Sequence, residues 1–397
     1  MARYLVTRTD ADVDAIRRKG DHTDSRAAAW YAIESGSRII ADIQRAARGR
    51  KWEKLKDAMS FVSPQAARIL EMRLEAIQRF KAAPHHRRGF RLNRRTGARK
   101  PRAIQSLCLI SGHEGQEIPG LVDYERVVVD AEHMEQALGP ATLTEIFRIR
   151  KQIGESVYIS TNVSETPQIV RAVHTGEVDI RASAALTASK VTSALNAGAD
   201  IVKVGFANMD NFKRDLRSPG VLEHMKLVRE MVDDVVREGL LVYPLGETEG
   251  RYPLVSVFFP EVGIDSFGER PMDVARKGLE LTHKARWQGM LIDTFEKYTG
   301  KRYGDFYGLD DTRALARAAH RAGLEFWIAG SVRRDEVADH LASDVDLICF
   351  GGAARHETGQ RVQQKGGRRD ESIKRALVER LVEEFDRADP KPSRVSE

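Results

Sequence analysis

Cysteine is nearly absent from this chain: Cys108 and Cys349 are the two among 397 residues. Two thiols cannot build a disulfide framework or supply a zinc site alone, and such usage fits a reducing cytoplasm. Long apolar runs are missing too. No stretch of about 18 apolar residues occurs, which excludes a transmembrane helix. The start, MARYLVTRTDADVDAI, lacks the apolar core and small-residue cleavage site of a secretory leader. No G-x-G-x-x-G follows an early strand and no P-loop signature occurs anywhere, so the chain carries neither of the common phosphate-cradling nucleotide motifs.

What is present describes a folded, soluble protein. Hydrophobic residues make up 42% and charged residues 31%, and the length suits one large domain with an appendage. The net charge of +6 is partly concentrated. From His85 to Arg102 the run HHRRGFRLNRRTGARKPR holds eight Lys or Arg residues and no acid. Such a run suits an anionic partner, nucleic acid or phosphate. A solvated loop, or one that grips another subunit, fits equally, and Phe90 alone offers a ring for base stacking. Nucleic acid is therefore not the favoured partner.

The chain has two rhythms. Residues 25–83 read as helices, with Ser63 as a cap and Pro64 in a first turn. Together with the basic run they make a helical segment over 1–104. From 105 to 390 a unit recurs in which a helix ends in a small-residue turn and feeds a short apolar strand. VTSALNAGA leads into DIVKVGF, ALARAAHRAG into LEFWIAGS, and VADHLAS into DVDLICFGG. Further strands are expected at 106–112, 125–133, 156–163, 239–247 and 289–295. Val/Ile/Leu-rich strands alternating with helices imply a parallel sheet covered on its faces. Eight such units match the α/β class of the (β/α)8 TIM barrel, whose usual size is about 250 residues. An open doubly wound sheet is the competing arrangement, and residues 3–7 compete with 106–112 for the first strand. Residues 391–397 read as a tail.

In such a barrel, function sits at the carboxyl ends of the strands. The polar residues there are Asp130, Glu132 and His133 after the second strand and Thr161 and Asn162 after the third. Lys203 lies in the fourth strand, with Gly205 at its end. Glu247 and Glu249 follow the expected fifth, Asp293 and Thr294 the sixth, with Lys297 four residues past the aspartate. Alternation puts Ile201, Lys203 and Gly205 on one face and Val202 and Val204 on the other. If the valines face the helices, Lys203 projects into the barrel, where desolvation favours the neutral amine of Schiff-base or general-base chemistry. A lysine that merely pairs with Asp293 or Asp130 is the structural alternative. The glycine-rich ends IAGS and CFGG, with Gly330, Ser331, Gly351 and Gly352, suit a phosphate held by backbone N–H groups between the last two strands. Arg333, Arg334 and Arg355 are nearby counter-charges. The combination points to a small phosphorylated carbonyl substrate.

VKVGF around Lys203, LIDTFEK with Asp293 and Lys297, and IAGSVRRDEV followed by DVDLICFGGAAR resemble the (5-formylfuran-3-yl)methyl phosphate synthases, which make the furan of methanofuran. The resemblance is strongest over 196–206 and 289–356. It implies a TIM barrel that joins two molecules of glyceraldehyde 3-phosphate by aldol-type condensation, loss of water and phosphate, and cyclisation, without a cofactor. It also implies catalytic roles for Lys203, Asp293 and Lys297. One departure stands out: family members carry a Schiff-base lysine in an Asp-x-Lys pattern after the second strand, and here the triplet is Asp130, Ala131, Glu132. A carboxylate forms no imine, so Lys203 or Lys297 takes that role, or the reaction differs.

The expectation is therefore a cytoplasmic lyase or condensing enzyme acting on triose phosphate, with no cofactor and no metal, as a homo-oligomer away from membranes. Its catalytic residues are Lys203, Asp293, Lys297, Asp130 and Glu132, and its phosphate-binding residues are Gly330, Ser331, Gly351 and Gly352. Two alternatives remain: a different phosphosugar aldolase or isomerase using Glu132 and Asp293 as acid and base, and a non-catalytic binding protein working through 85–102.

Overall fold

The computed structural model describes residues 106–111, 127–133, 139–153, 158–164, 169–206, 218–237, 254–261, 270–295, 300–355 and 373–388. The helices expected over 25–83, the basic run 85–102, the tail and Lys297 lie outside them. The chain separates into two compact units, and apart from the last turn of one helix the described residues belong to the second, Ala83–Val232 with Arg251–Glu397.

Among the described residues the sheet of that unit has nine strands, a two-residue antiparallel one, Gly139–Pro140, and eight parallel ones. The parallel strands are β1 (Ser106–Ser111), β2 (Val127–His133), β3 (Tyr158–Ser164), β4 (Ile201–Gly205), β5 (Leu254–Phe258), β6 (Gly289–Ile292), β7 (Glu325–Ile328) and β8 (Leu347–Phe350). Each pairs with the next in order. β1 also pairs with β8, Cys108 opposite Cys349, so the ring closes. Closure rules out the open doubly wound sheet, and it fixes Ser106–Ser111, not residues 3–7, as the first barrel strand. Helices follow β2 to β8: α1 (Leu143–Ile153), α2 (Ile180–Ala197), α3 (Ser218–Arg237), α4 (Pro271–Lys284), α5 (Leu309–Arg321), α6 (Val337–Ala342) and α7 (Arg375–Ala388). None of the described helices is long and apolar enough to cross a membrane.

One expected strand is corrected. The fifth is Leu254–Phe258, not 239–247, which fall outside the described residues. Pro244 supplies the reason: a proline has no N–H to give to a ladder and is not found in a central strand. LVSVF is uninterrupted and buried throughout. Glu247 and Glu249 therefore do not mark the end of the fifth strand; Phe259 and Glu261 do.

The amino ends of the strands are tied by a device that occurs three times. The residue just before β4, β6 and β8 turns its side chain back to accept the backbone N–H of the preceding strand. Asp200 takes Ile159 N–H, Gln288 takes Leu254 N–H and Asp346 takes Phe326 N–H, each at 2.8 Å. The helix that leads into the pair then supplies a donor to the same side chain: Arg150 of α1 to Asp200, Arg229 of α3 to Gln288, and His320 of α5 to Asp346. Arg150 also donates to the carbonyl of Gly198 at 2.9 Å. Gly198, at φ 113°, ends α2 in the left-handed conformation, and a Cβ there would meet Arg150 at 3.0 Å. Bonds to such charged groups contribute about 1.5–3 kcal/mol each, so these contacts stabilise the lower rim.

The interior is apolar below and polar above. Val128, Ile201, Val255, Val257, Leu291, Trp327, Leu347 and Cys349 form one buried cluster, with Tyr158 packed against it. Trp327 donates its indole N–H to Glu325 at 2.9 Å. Burial, with Asp346 nearby, pushes the Glu325 carboxyl well above the usual carboxylate range. One step of alternation from this cluster toward the carboxyl ends brings the inward positions to the residues of the candidate site.

Candidate active site

Alternation from Val128 places Asp130 and Glu132 on the inward face of β2, from Tyr158 places Ser160 and Asn162 on that of β3, and from Ile201 places Lys203 on that of β4. The registers align them: Asp130 lies opposite Ser160, and Asn162 opposite Lys203. Lys203 and Asp130 are each 1% exposed and form an ion pair across β3. Ser160, between them in the sheet, donates its hydroxyl to the other Asp130 oxygen at 2.6 Å. Two oxygens of one carboxylate are thus aimed by two neighbouring strands.

Above this pair the groups differ. Glu132 is buried, one inward step closer to the mouth than Asp130. Asn162 is 1% exposed, and neither its amide nitrogen nor its amide oxygen has a hydrogen-bond partner. Directly after Asn162 the register of β3 against β4 shifts, a bulge of the kind that re-aims a side chain near a site. On the outer face Thr161 donates to the carbonyl of Ala131 at 2.8 Å and fixes β3 against β2 at this height.

Asp293 enters from β6, four strands around the ring from β2 and so from the opposite wall. It is buried, and one of its oxygens accepts the backbone N–H of Thr294 at 2.7 Å, which fixes the carboxylate orientation. The next residue, Phe295, gives its N–H to both oxygens of Glu261 at 3.1 Å. Thr294 is buried with its hydroxyl unpartnered, close against Gly330.

The ends of β7 and β8 are tight turns. Gly330 and Ser331 are successive left-handed residues, at φ 106° and 54°. A Cβ on Gly330 would lie 2.7 Å from the Thr294 methyl carbon, so no other residue fits without displacement. The Gly330 carbonyl accepts Tyr303 N–H at 2.9 Å. After β8, Gly351 leads into a short turn, Gly352–Ala354, and the buried Arg355 folds back to donate to the Gly351 carbonyl at 2.8 Å. Of the expected counter-charges, Arg333 is held by Asp335, and its backbone N–H donates to Glu336 at the following turn.

The structure thus gathers Lys203, Asp130, Glu132 and Asp293 at the carboxyl end of the barrel, with Gly330, Ser331, Gly351 and Gly352 on adjacent strand ends. Ser160 and Glu261 were not anticipated. Ser160 was legible in principle, because I-S-T-N alternates with V-V-D-A at the same height; Glu261 was hidden by the misplaced fifth strand.

A closed parallel barrel with buried ionisable side chains converging at its carboxyl ends is an enzyme of the (β/α)8 type in its architecture. The chain belongs to the 4-HFC-P synthase family, whose model matches residues 109–382. That is the furan phosphate synthase family anticipated from VKVGF, LIDTFEK and IAGSVRRDEV. Among curated proteins no sequence match is found. Solved structures with a similar chain path include KGPDC from Streptococcus mutans, at 11% identity and a TM-score of 0.39 over 72% of this chain and 99% of that one. Another is 3-hexulose-6-phosphate synthase from Salmonella typhimurium, at 10% and 0.42 over 71% and 99%. Thiamine phosphate pyrophosphorylase from Pyrococcus furiosus matches at 10% and 0.38 over 72% and 96%.

Proposed function

We propose that this protein condenses two triose phosphates, with glyceraldehyde 3-phosphate as the substrate, into a furan phosphate through an imine on Lys203. The observation that carries the proposal is the Lys203–Asp130 pair, buried at the end of the barrel where chemistry is done. A buried ion pair stabilises little against an apolar substitute and is weakly explained by stability alone.

The chemistry follows from the positions. Lys203 gives its extra proton to Asp130, the base in contact with it, and the free amine adds to the aldehyde carbon of one substrate. Loss of water from that adduct leaves the imine. Removal of a proton from the neighbouring carbon gives an enamine, which expels the phosphate from its third carbon and leaves an unsaturated iminium. The enediol carbon of the second molecule, formed by loss of its own C2 proton, adds to that third carbon, and Asp293, from the opposite wall, returns a proton to the adduct. The hydroxyl beside the iminium then closes on the second molecule's aldehyde, and loss of two waters with hydrolysis of the imine releases the furan phosphate. Two triose phosphates yield one furan phosphate, one inorganic phosphate and two waters, a balance that needs neither oxidant nor reductant. The turns at Gly330–Ser331 and Gly351–Gly352 hold a substrate phosphate through backbone N–H groups. Glu132 replaces the lysine of the family pattern, so the amine is supplied from β4. Membership of the family supports the substrate class.

The test is incubation with glyceraldehyde 3-phosphate and borohydride, followed by mass mapping and absorbance of the furan aldehyde. The expected result is one reduced adduct on the peptide containing Lys203, absent in Lys203→Ala. An unmodified protein with no furan absorbance overturns the proposal.

A further inference from the structure

We propose that Asn162 is the residue that recognises the hydroxyl group next to the substrate's carbonyl, so the site selects 2-hydroxy phosphorylated compounds over their 2-deoxy counterparts. The inference deepens the reading of the site given above and rests on it for the class of substrate.

The physical ground is the state of the Asn162 amide. A buried polar group is ordinarily hydrogen-bonded, and each one left without a partner calls for an explanation. Here both ends of one carboxamide are buried and unpartnered, in a side chain 1% exposed. The surroundings are not short of polar groups. Ser160, two residues earlier on the same face, is bonded to Asp130, and Thr161 to the carbonyl of Ala131. The Asn162 amide is held back from this network, and the register shift after it marks where the strand leaves regular pairing.

The chemistry of the missing partner follows from the inventory of a carboxamide, which donates from nitrogen and accepts at oxygen. A phosphate oxygen or a carboxylate satisfies only the nitrogen. A hydroxyl both donates and accepts, and so does a hydroxyl with an adjacent carbonyl. Asn162 lies opposite Lys203 in the β3–β4 register, so the group it holds belongs to the carbon beside the one the amine attacks. In a three-carbon phosphate with its phosphate at the far end, that is the 2-hydroxyl.

Free proteins normally avoid such an unsatisfied group, and replacing it with an apolar side chain of similar shape relieves the defect. The proposal therefore makes a paired demand that a structural asparagine does not meet. Asn162→Leu melts no lower than the wild type, while the hydroxyl contact is lost.

The binding test uses ligands that cannot form an imine, so it is independent of Lys203 chemistry. Calorimetric titration compares glycerol 3-phosphate with 1,3-propanediol phosphate, which lacks the 2-hydroxyl. The wild type is expected to prefer the former by about tenfold or more, the scale of a neutral hydrogen bond in a dry site. In Asn162→Leu the preference falls to near one, and Asn162→Gln restores part of it. Equal binding in the wild type, absence of binding by either ligand, a preference retained in Asn162→Leu, or a sharp fall in its melting temperature each overturns the assignment. Failure of borohydride trapping with this preference intact would remove the imine proposal and leave Asn162 as the hydroxyl-reading residue.

Discussion

Replacing Lys203 by methionine removes the charge while keeping most of the stem. Asp130 would then stay at 1% exposure with the Ser160 hydroxyl but without the ammonium. Breaking a buried ion pair by removing one partner costs about 3–5 kcal/mol, because an uncompensated charge remains. For a cooperative unit of about 270 residues this corresponds to a fall of about 5–9 °C in melting temperature. The double variant Lys203→Met with Asp130→Asn removes both charges. Its amide oxygen still accepts from Ser160, so it should recover to within about 1–2 kcal/mol of the wild type. Urea unfolding of these three proteins and of the single variant Asp130→Asn, compared at equal m-values, gives the coupling energy directly. A Lys203→Met penalty under about 1 kcal/mol, or a double variant less stable than Lys203→Met, would refute the reasoning. The cycle also protects the catalytic test, since lost activity in a Lys203 variant is informative only where the protein is shown to be folded.

Two further outcomes follow from particular contacts. Gly330→Ala adds a Cβ 2.7 Å from the Thr294 methyl carbon at a φ of 106°, so it should cost about 2–4 kcal/mol by unfolding and weaken inorganic phosphate binding; a loss below about 0.5 kcal/mol would show the turn to be permissive. His224 is buried between α3 and α2, near the Thr187 hydroxyl at 3.3 Å, and burial pushes it down to about 4 from the usual 6.5. The unfolded chain takes up that proton at higher pH than the folded one, so this contribution is fully present above pH 6.5 and is lost as pH falls toward 4. The stability difference between wild type and His224→Gln should therefore change by about 3 kcal/mol across that window. A flat difference would show that the imidazole is not held neutral.

Strand-helix alternation was readable because each small-residue turn announces the next strand. The left-handed Gly198 and Gly323 both end helices where the sequence places AGAD and RAGLEF. The fifth strand was not readable from LVYPLG, because hydrophobic content outweighed the one residue, Pro244, that forbids a central strand. The three latches at the lower rim were also invisible. Asp200, Gln288 and Asp346 look like ordinary loop polar residues, and their backbone partners lie 41, 34 and 20 residues away. At the site, alternation showed which face Lys203 occupies but not where on the ring its partner stands. Asp130 and Asp293 were equal candidates until the registers put Asp130 level with Ser160 on the strand next to β4.

The position of Glu132 becomes intelligible from the same geometry. Inward side chains of a closed barrel converge on its axis, so an amine carried by β2 and one carried by β4 approach the same central space from two strands apart. Moving the amine in this way leaves Asp130 as its proton partner, because the carboxylate already reaches across β3 to Lys203. On the proposed mechanism the turns after β7 and β8 would hold the substrate phosphate on the side of the axis away from β4. On the proposed mechanism a carboxylate at Glu132 would stand one step nearer the mouth than Asp130, where an iminium on Lys203 would carry positive charge through condensation. On this reading the departure from the Asp-x-Lys pattern changes which strand carries the nucleophile and adds an electrostatic partner for it, while the carbon being attacked stays near the axis.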